Sequence, residues 1–339
     1  MKALKLGQVG VGRFGMIHAR NLRYRIKNAQ LQVLCSRTPE KLAAAAEELE
    51  VQETTTDYGA LVRDYDLDGV VICSSSASHC DQIIEAVEAG IRFIFAEKPV
   101  VMSREEAARL SSVLEQTPDL FIQIGHHRRF DPSYRAAKAK IDAGVIGRPI
   151  LYRNFNRDYY FEPEFLRAYS PESGGMIFDT GTHDYDMARW LLNSEARTVF
   201  GIGGVYEYDF LRETGDMDNC SISMEFENGV IADFMISRNC KYGYHVETEI
   251  YGTEGSIRVA VEPSRDRVVQ LTVDGIVKDA FDDFRDFFEP CYALELESFV
   301  ENAISGEPPL VTAADGIKSA LWAFTATDAV RRKTTLNLE

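Results

Sequence analysis

The sequence predicts an α/β protein in two parts, a doubly wound parallel sheet over residues 1–124 and an α+β domain with a largely antiparallel open sheet over residues 125–339. Three observations predict it: a length of 339 residues, an alternation of strands and helices confined to the first part, and later β-prone runs separated by turn residues. A chain of this length exceeds the size at which one hydrophobic core stops growing, so two domains are expected.

In the first part, five apolar runs (Leu4 to Val9, Leu31 to Cys35, Val70 to Cys73, Arg92 to Phe95, Leu120 to Ile124) alternate with helical stretches such as Glu40 to Leu49 and Glu105 to Leu114. This is the pattern of parallel strands joined by crossover helices. The runs are continuously apolar, as strands buried on both faces are, while the helices carry Ala, Glu, Lys and Arg on an exposed side. Beyond Gly125 the rhythm changes. Tyr134 to Ala143 predicts a helix, Pro149 to Asn156 an extended segment, and Met176 to Leu192 has helical apolar spacing. Ser221 to Phe226, Val230 to Ser237, His245 to Gly252 and Ser256 to Ala260 predict antiparallel strands, set apart by Glu227-Asn228-Gly229 and Gly252-Thr253-Glu254-Gly255. Asp315 to Thr327 predicts a closing helix, and no repeat or low-complexity tract occurs.

With 45% hydrophobic and 27% charged residues the composition is that of a globular protein. No apolar stretch approaches the roughly 18 residues of a membrane span. The N-terminus reads as a first strand broken by glycines rather than a signal peptide, which predicts a cytoplasmic protein. Six scattered cysteines without a CxxC pair are expected to be reduced thiols. The formal net charge of -16 disfavours nucleic acid and anionic membranes, so an anionic cofactor must be held by local features.

Gly10-Val11-Gly12-Arg13-Phe14-Gly15 follows the first strand and opens a helix, the context that makes a GxGxxG motif a dinucleotide site of the Rossmann type. The glycines serve the tight turn, the approach of the pyrophosphate and close helix packing, with the anion on the helix N-terminus. The competing reading is a glycine turn that binds no nucleotide. An NAD-specific domain usually ends its second strand with a carboxylate for the ribose hydroxyls. Here Cys35-Ser36-Arg37 stands, which would receive a 2'-phosphate, so NADP or dual use is expected over NAD alone; otherwise Arg37 stacks over adenine or faces water. The expected cofactor contacts are Gly10, Gly12, Arg13, Phe14, Gly15, Ser36, Arg37, Ser74, Ser75, Glu97 and Lys98.

Glu97-Lys98-Pro99 lies just past a strand, at the carboxyl edge where open α/β sheets bind ligands, and the proline permits a cis bond. Asp179 and His183 stand four apart at helical spacing. Oxidising an alcohol needs a base near neutrality, the natural role of histidine, with a carboxylate to fix its tautomer. Two other readings compete: Asp179 or Thr180 as a helix cap, and Asp179, His183 and Asp186 as metal ligands. Beside a dinucleotide domain, catalysis leads and no metal is expected.

Taken together, Gly10 to Gly15, Glu97-Lys98-Pro99, Gly125 to Tyr134 (GHHRRFDPSY) and Gly174 to Trp190 (GGMIFDTGTHDYDMARW) resemble the Gfo/Idh/MocA oxidoreductases, most nearly their inositol dehydrogenases. The resemblance runs in order over nearly the whole chain. It implies a catalytic triad of Lys98, Asp179 and His183, with His183 as base, Lys98 stabilising the developing alkoxide and Asp179 orienting His183. It places substrate contacts at His127, Arg128, Asn156, Asp158 and Tyr244. Inositol dehydrogenases commonly show Phe-Met where this chain has His126-His127, of which one is expected to face substrate, and His-Arg-Asn where it has Asn156-Arg157-Asp158. The expected substrate is therefore a cyclitol or a pyranose sugar, its secondary ring hydroxyl oxidised reversibly to a ketone. The resemblance also implies a homo-oligomer, dimer or tetramer. A non-catalytic dinucleotide-binding regulator and a metal-dependent hydrolase or isomerase are the rivals from other classes.

Overall fold

The computed structural model describes residues 3–262, 264–266, 268–273 and 275–338. Its elements run β1 (Leu4–Val9), α1 (Arg13–Tyr24), β2 (Ala29–Cys35), α2 (Pro39–Leu49), β3 (Glu53–Thr55), α3 (Tyr58–Arg63), β4 (Gly69–Ile72), α4 (His79–Glu88), β5 (Phe93–Ala96), α5 (Arg104–Gln116) and β6 (Phe121–Ile124). There follow α6 (Pro132–Asp142), β7 (Pro149–Tyr159), α7 (Pro163–Ser173), α8 (Met176–Asp179), α9 (Gly181–Leu192), β8 (Ala196–Gly204), α10 (Leu211–Thr214), β9 (Asn219–Phe226), β10 (Ile231–Cys240) and β11 (His245–Gly252). The chain closes with β12 (Ser256–Val259), β13 (Gln270–Thr272), β14 (Gly275–Val277), α11 (Phe284–Phe287), α12 (Glu289–Ser305), α13 (Ala313–Arg332) and β15 (Leu336–Asn337).

These elements form two compact units, Met1–Phe130 with Pro290–Ala320, and Asp131–Glu289 with Leu321–Glu339. In the first unit six parallel strands lie in the order β3-β2-β1-β4-β5-β6, the doubly wound order that reverses between β1 and β4. The strand absent from the sequence expectation is β3. It is a polar edge strand of three residues, too short and too hydrophilic to show as an apolar run.

The return of Pro290–Ala320 has a plain cause. On α12, Leu296, Phe299, Val300 and Ala303 fall at helical spacing and join one buried cluster with Leu4, Leu6, Val71 and Phe95. The Phe299 ring packs 5.8 Å from both Phe95 and Phe121, and Gln123 donates to the Glu295 carbonyl at 2.7 Å. Burying each such side chain contributes about 1.5–3 kcal/mol. Periodicity reveals that α12 has an apolar face but not which core receives it, so a single division after residue 124 does not anticipate this arm.

In the second unit seven strands lie in the order β12-β11-β7-β10-β9-β8-β15, with β7 and β10 parallel and the other pairs antiparallel. Period-two alternation gives the sheet two unlike faces. Ala232, Phe234, Ile236, Arg238 and Cys240 of β10 and Tyr152, Asn154, Asn156 and Asp158 of β7 are buried, while Ile231 and Met235 are exposed. The helical run from Met176 to Leu192 is two segments meeting at Thr180, which keeps helical angles of φ -84 and ψ -43. Among the described residues no helix is long and apolar enough to cross a membrane. All six cysteines are buried and free.

Candidate active site

The carboxyl edge of the first sheet is extended by a ladder of backbone bonds just past the strand ends. Gly10 donates to Cys35, Cys73 to Val9, Glu97 to Ile72 and Gly125 to Ala96, at 2.8–2.9 Å. Every expected cofactor turn is pinned by this ladder. Gly10 has φ +94, and a Cβ there would lie 2.2 Å from the Cys73 carbonyl oxygen. A Cβ on Gly15 would lie 2.3 Å from the Gly10 carbonyl oxygen, so only glycine lets the loop fold onto the start of α1. The first turn of α1 carries no acidic residue, and nothing there repels a phosphate. Gln8, buried on β1, donates its amide to the carbonyls of Gly10 and Gly15 at 2.9 and 2.7 Å. That brace was missed from sequence, and a polar residue inside a wholly apolar strand is the signal for it. Ser36 accepts from the Thr38 amide at 3.4 Å and Arg37 is exposed. Ser74 donates to Gln82 at 2.6 Å, and Ser75 bonds Ser78 at 3.2 Å. The glycine cradle and the bare helix start suit a dinucleotide.

The Glu97-Lys98-Pro99 turn, with its cis Lys98–Pro99 bond, is supported from beneath. Glu97 accepts the Lys98 amide at 3.2 Å, and its other oxygen is 2.5 Å from Nε2 of the buried His18. Glu295 of α12, also fully buried, places Oε1 3.9 Å from the same nitrogen. These three residues are grouped as metal ligands would be. However, ligands each about 2.0–2.2 Å from one ion stand roughly 3 Å or more apart, so the 2.5 Å contact is a hydrogen bond. Neither carboxyl oxygen of Glu295 meets a hydrogen-bond partner among the described residues. Burial, and then the Glu97 carboxylate, push the Glu295 carboxyl well above the usual range and keep it protonated. His79 clasps the neighbouring turns, its ring nitrogens 2.9 Å from the Pro99 carbonyl and 3.2 Å from that of Ser74. Burial lowers its pKa and keeps it neutral.

The adjacent histidines behave differently from each other. His126 bonds the Ser319 hydroxyl at 3.1 Å. His127 packs on Tyr292 at 4.9 Å, and burial, followed by the charges of Arg128 and Lys98, holds it well below the usual histidine value. Arg128 is buried beside it.

The second unit holds Asp179 and His183 on α8 and α9. Asp179 Oδ2 accepts from the Tyr169 hydroxyl at 2.8 Å and from Arg238 Nη2 at 2.7 Å. Arg238 is completely buried, and its Nη1 lies 3.9 Å from Asp216, which in turn accepts from Ser170 and from the Met176 amide opening α8. Burial works against the Arg238 charge, but Asp179 and Asp216 outweigh it and hold the guanidinium above its ordinary value. Burial, then Asp179, pushes the Tyr169 phenol well up, so it remains a donor. Of the expected substrate contacts, Asn156 is buried and donates to both Asp184 oxygens at 2.9 and 3.0 Å, and Asp158 accepts the Tyr159 amide at 3.1 Å. Tyr244 packs against Phe284, Phe287 and Phe288. Arg238 and Tyr169 were not foreseen from sequence.

A glycine cradle at the end of β1 and a braced lysine turn at the end of β5 belong to the nicotinamide-dependent oxidoreductases. Residues 4–126 match the oxidoreductase family with an NAD-binding Rossmann fold, and residues 134–258 match the GFO/IDH/MocA C-terminal domain. The chain belongs to the Gfo/Idh/MocA family. It is 35% identical to scyllo-inositol 2-dehydrogenase (NAD(+)) of Bacillus subtilis over 98% of this chain and 95% of that one. With myo-inositol 2-dehydrogenase of Thermotoga maritima it shares 30% identity over 99% of each. Among solved structures, scyllo-inositol dehydrogenase from Lactobacillus casei with bound NAD(H) and scyllo-inositol is similar with a TM-score of 0.95 and 33% identity, over 99% of both chains.

Proposed function

We propose that this chain is a reversible cyclitol dehydrogenase of the inositol type that oxidises a secondary ring hydroxyl to the ketone. NAD, when bound on the Gly10–Gly15 cradle, supplies the hydride acceptor. His183 takes the hydroxyl proton as the C=O bond forms, Lys98 stabilises the negative charge developing on the oxygen, and Asp179 orients the base. His127, Arg128, Asp158 and Tyr244 contact the ring, and Asn156 acts through Asp184, whose carboxylate it holds. The observation that carries the reading is Asp179 anchored on the buried Arg238 within the Asp179 to His183 motif, in a chain similar from end to end to inositol dehydrogenases. Ser36 and the exposed Arg37 lack the carboxylate that excludes a 2'-phosphate, so NADP serves alongside NAD. The exposed apolar side chains Phe200, Ile202, Ile231 and Met235 on the outer sheet face fit pairing with a second copy in a cytoplasmic dimer or tetramer.

One experiment tests the core of this. Wild type, His183→Ala and Arg37→Ala are assayed on a panel of inositols and pyranoses with NAD and NADP separately. Wild type should turn over an inositol, His183→Ala should lose turnover while binding cofactor, and Arg37→Ala should lose NADP use by about ten- to a hundredfold. Turnover of pyranoses alone would move the substrate to a sugar. No turnover of any ring would favour a non-catalytic regulator.

A further inference from the structure

Arg238 sits where β10 should present another apolar residue. Its inward neighbours along the strand are Ala232, Phe234, Ile236 and Cys240, all buried. A guanidinium in that row carries a large desolvation cost unless a carboxylate compensates it. Here the compensating group is Asp179, bonded at 2.7 Å, with Asp216 further off at 3.9 Å. The guanidinium carbon lies 5.7 Å from the Tyr169 ring centre and 5.9 Å from that of Phe161, so two aromatic rings limit its movement. Tyr169 bonds the same Oδ2 atom that Arg238 holds.

We propose that Arg238 and Tyr169 are positioning residues for catalysis: by clamping Oδ2 of Asp179 they fix the carboxylate plane and present Oδ1 to the reaction. The inference rests on the reading of Asp179 and His183 as catalytic. It adds that the aspartate's aim is set from the sheet side, by a buried cation on β10. Asp216 completes the arrangement, because its carboxylate faces Arg238 while holding the Met176 amide, so the start of α8 and the clamp are tied to one group.

The test uses the full-length protein with Arg238→Met, Arg238→Lys and Tyr169→Phe. Crystal structures of the variants read the Asp179 side chain directly, and steady-state kinetics read kcat, ring-substrate KM and, separately, NADH binding by fluorescence. We expect Arg238→Met to turn Asp179 away from its position and to lower kcat at least a hundredfold, with KM and NADH affinity changed less than threefold. Arg238→Lys should recover about a tenth of the wild-type kcat, because it restores charge without the planar two-sided fit. Tyr169→Phe should lower kcat five- to twentyfold. Should Arg238→Met fail to fold, the other two variants decide. An unmoved Asp179 with kcat within threefold of wild type in those variants would overturn the proposal. If wild type oxidises no ring substrate, the functional reading fails on its own, and the Asp179 conformation in the variant structures still decides whether the clamp exists.

Discussion

Each unit groups carboxylates around a buried side chain, Arg238 in the second and His18 in the first, and the two groups are held in different ways. In the second unit Asp179 and Asp216 face a guanidinium that cannot lose its charge. In the first, Glu97 bonds His18 and the Lys98 amide, and burial with the Glu97 carboxylate keeps Glu295 protonated. A fixed cation holds its partner at one angle at every pH in the working range. A proton is smaller and ties the stability of the unit to pH.

The comparison breaks at its strongest point if Arg238 is dispensable. Arg238→Met leaves the half-buried Asp179 and Asp216 without their cation, and should cost about 3 kcal/mol, the low end for a broken buried pair, in denaturant unfolding; a shift under about 1 kcal/mol would refute the role given to the cation. Glu295→Gln should act in the opposite direction. A carboxyl whose folded value is raised contributes stability that is complete below the unfolded value of 4.5 and is lost as pH rises toward the folded value. Glutamine keeps the shape and does not titrate. The variant should therefore match wild type near pH 4.5 and gain on it by up to about 1.4 kcal/mol per pH unit above that. Parallel pH profiles of the unfolding midpoint would show that Glu295 is ionised in the fold. The smallest effect is expected of Glu97→Gln, which weakens the bond to His18 while keeping the shape of the side chain. About 1 kcal/mol of lost stability is expected, and a loss comparable to that of Arg238→Met would erase the distinction between the clusters.

The parts legible in the sequence are those where local geometry forces a residue type. Gly10 and Gly15 are glycines because a Cβ would collide with backbone, and the buried strands are apolar because both faces are covered. The lysine turn drew notice from its place past a strand end, and Asp179 with His183 from their helical spacing, though the structure puts the two on separate helices meeting at Thr180. Partners brought together across long stretches of sequence were not. Glu295 lies 277 residues beyond His18, and Arg238 lies 59 beyond Asp179. Both left a faint trace, a polar or charged residue standing in a row of apolar ones, as Gln8 also does on β1. The polar edge strand β3 left none, since its stability comes from pairing with β2 rather than from burial.

The arm formed by Pro290–Ala320 also sets a timetable. A ribosome adding about 5–20 residues per second releases residue 130 roughly 10–35 s before α12 is complete. Throughout that interval the nascent first unit has its strands and crossover helices but lacks Leu296, Phe299 and Val300, and the apolar surface they cover stands open to water. The seat these residues take is therefore the last part of the first unit's core to be made.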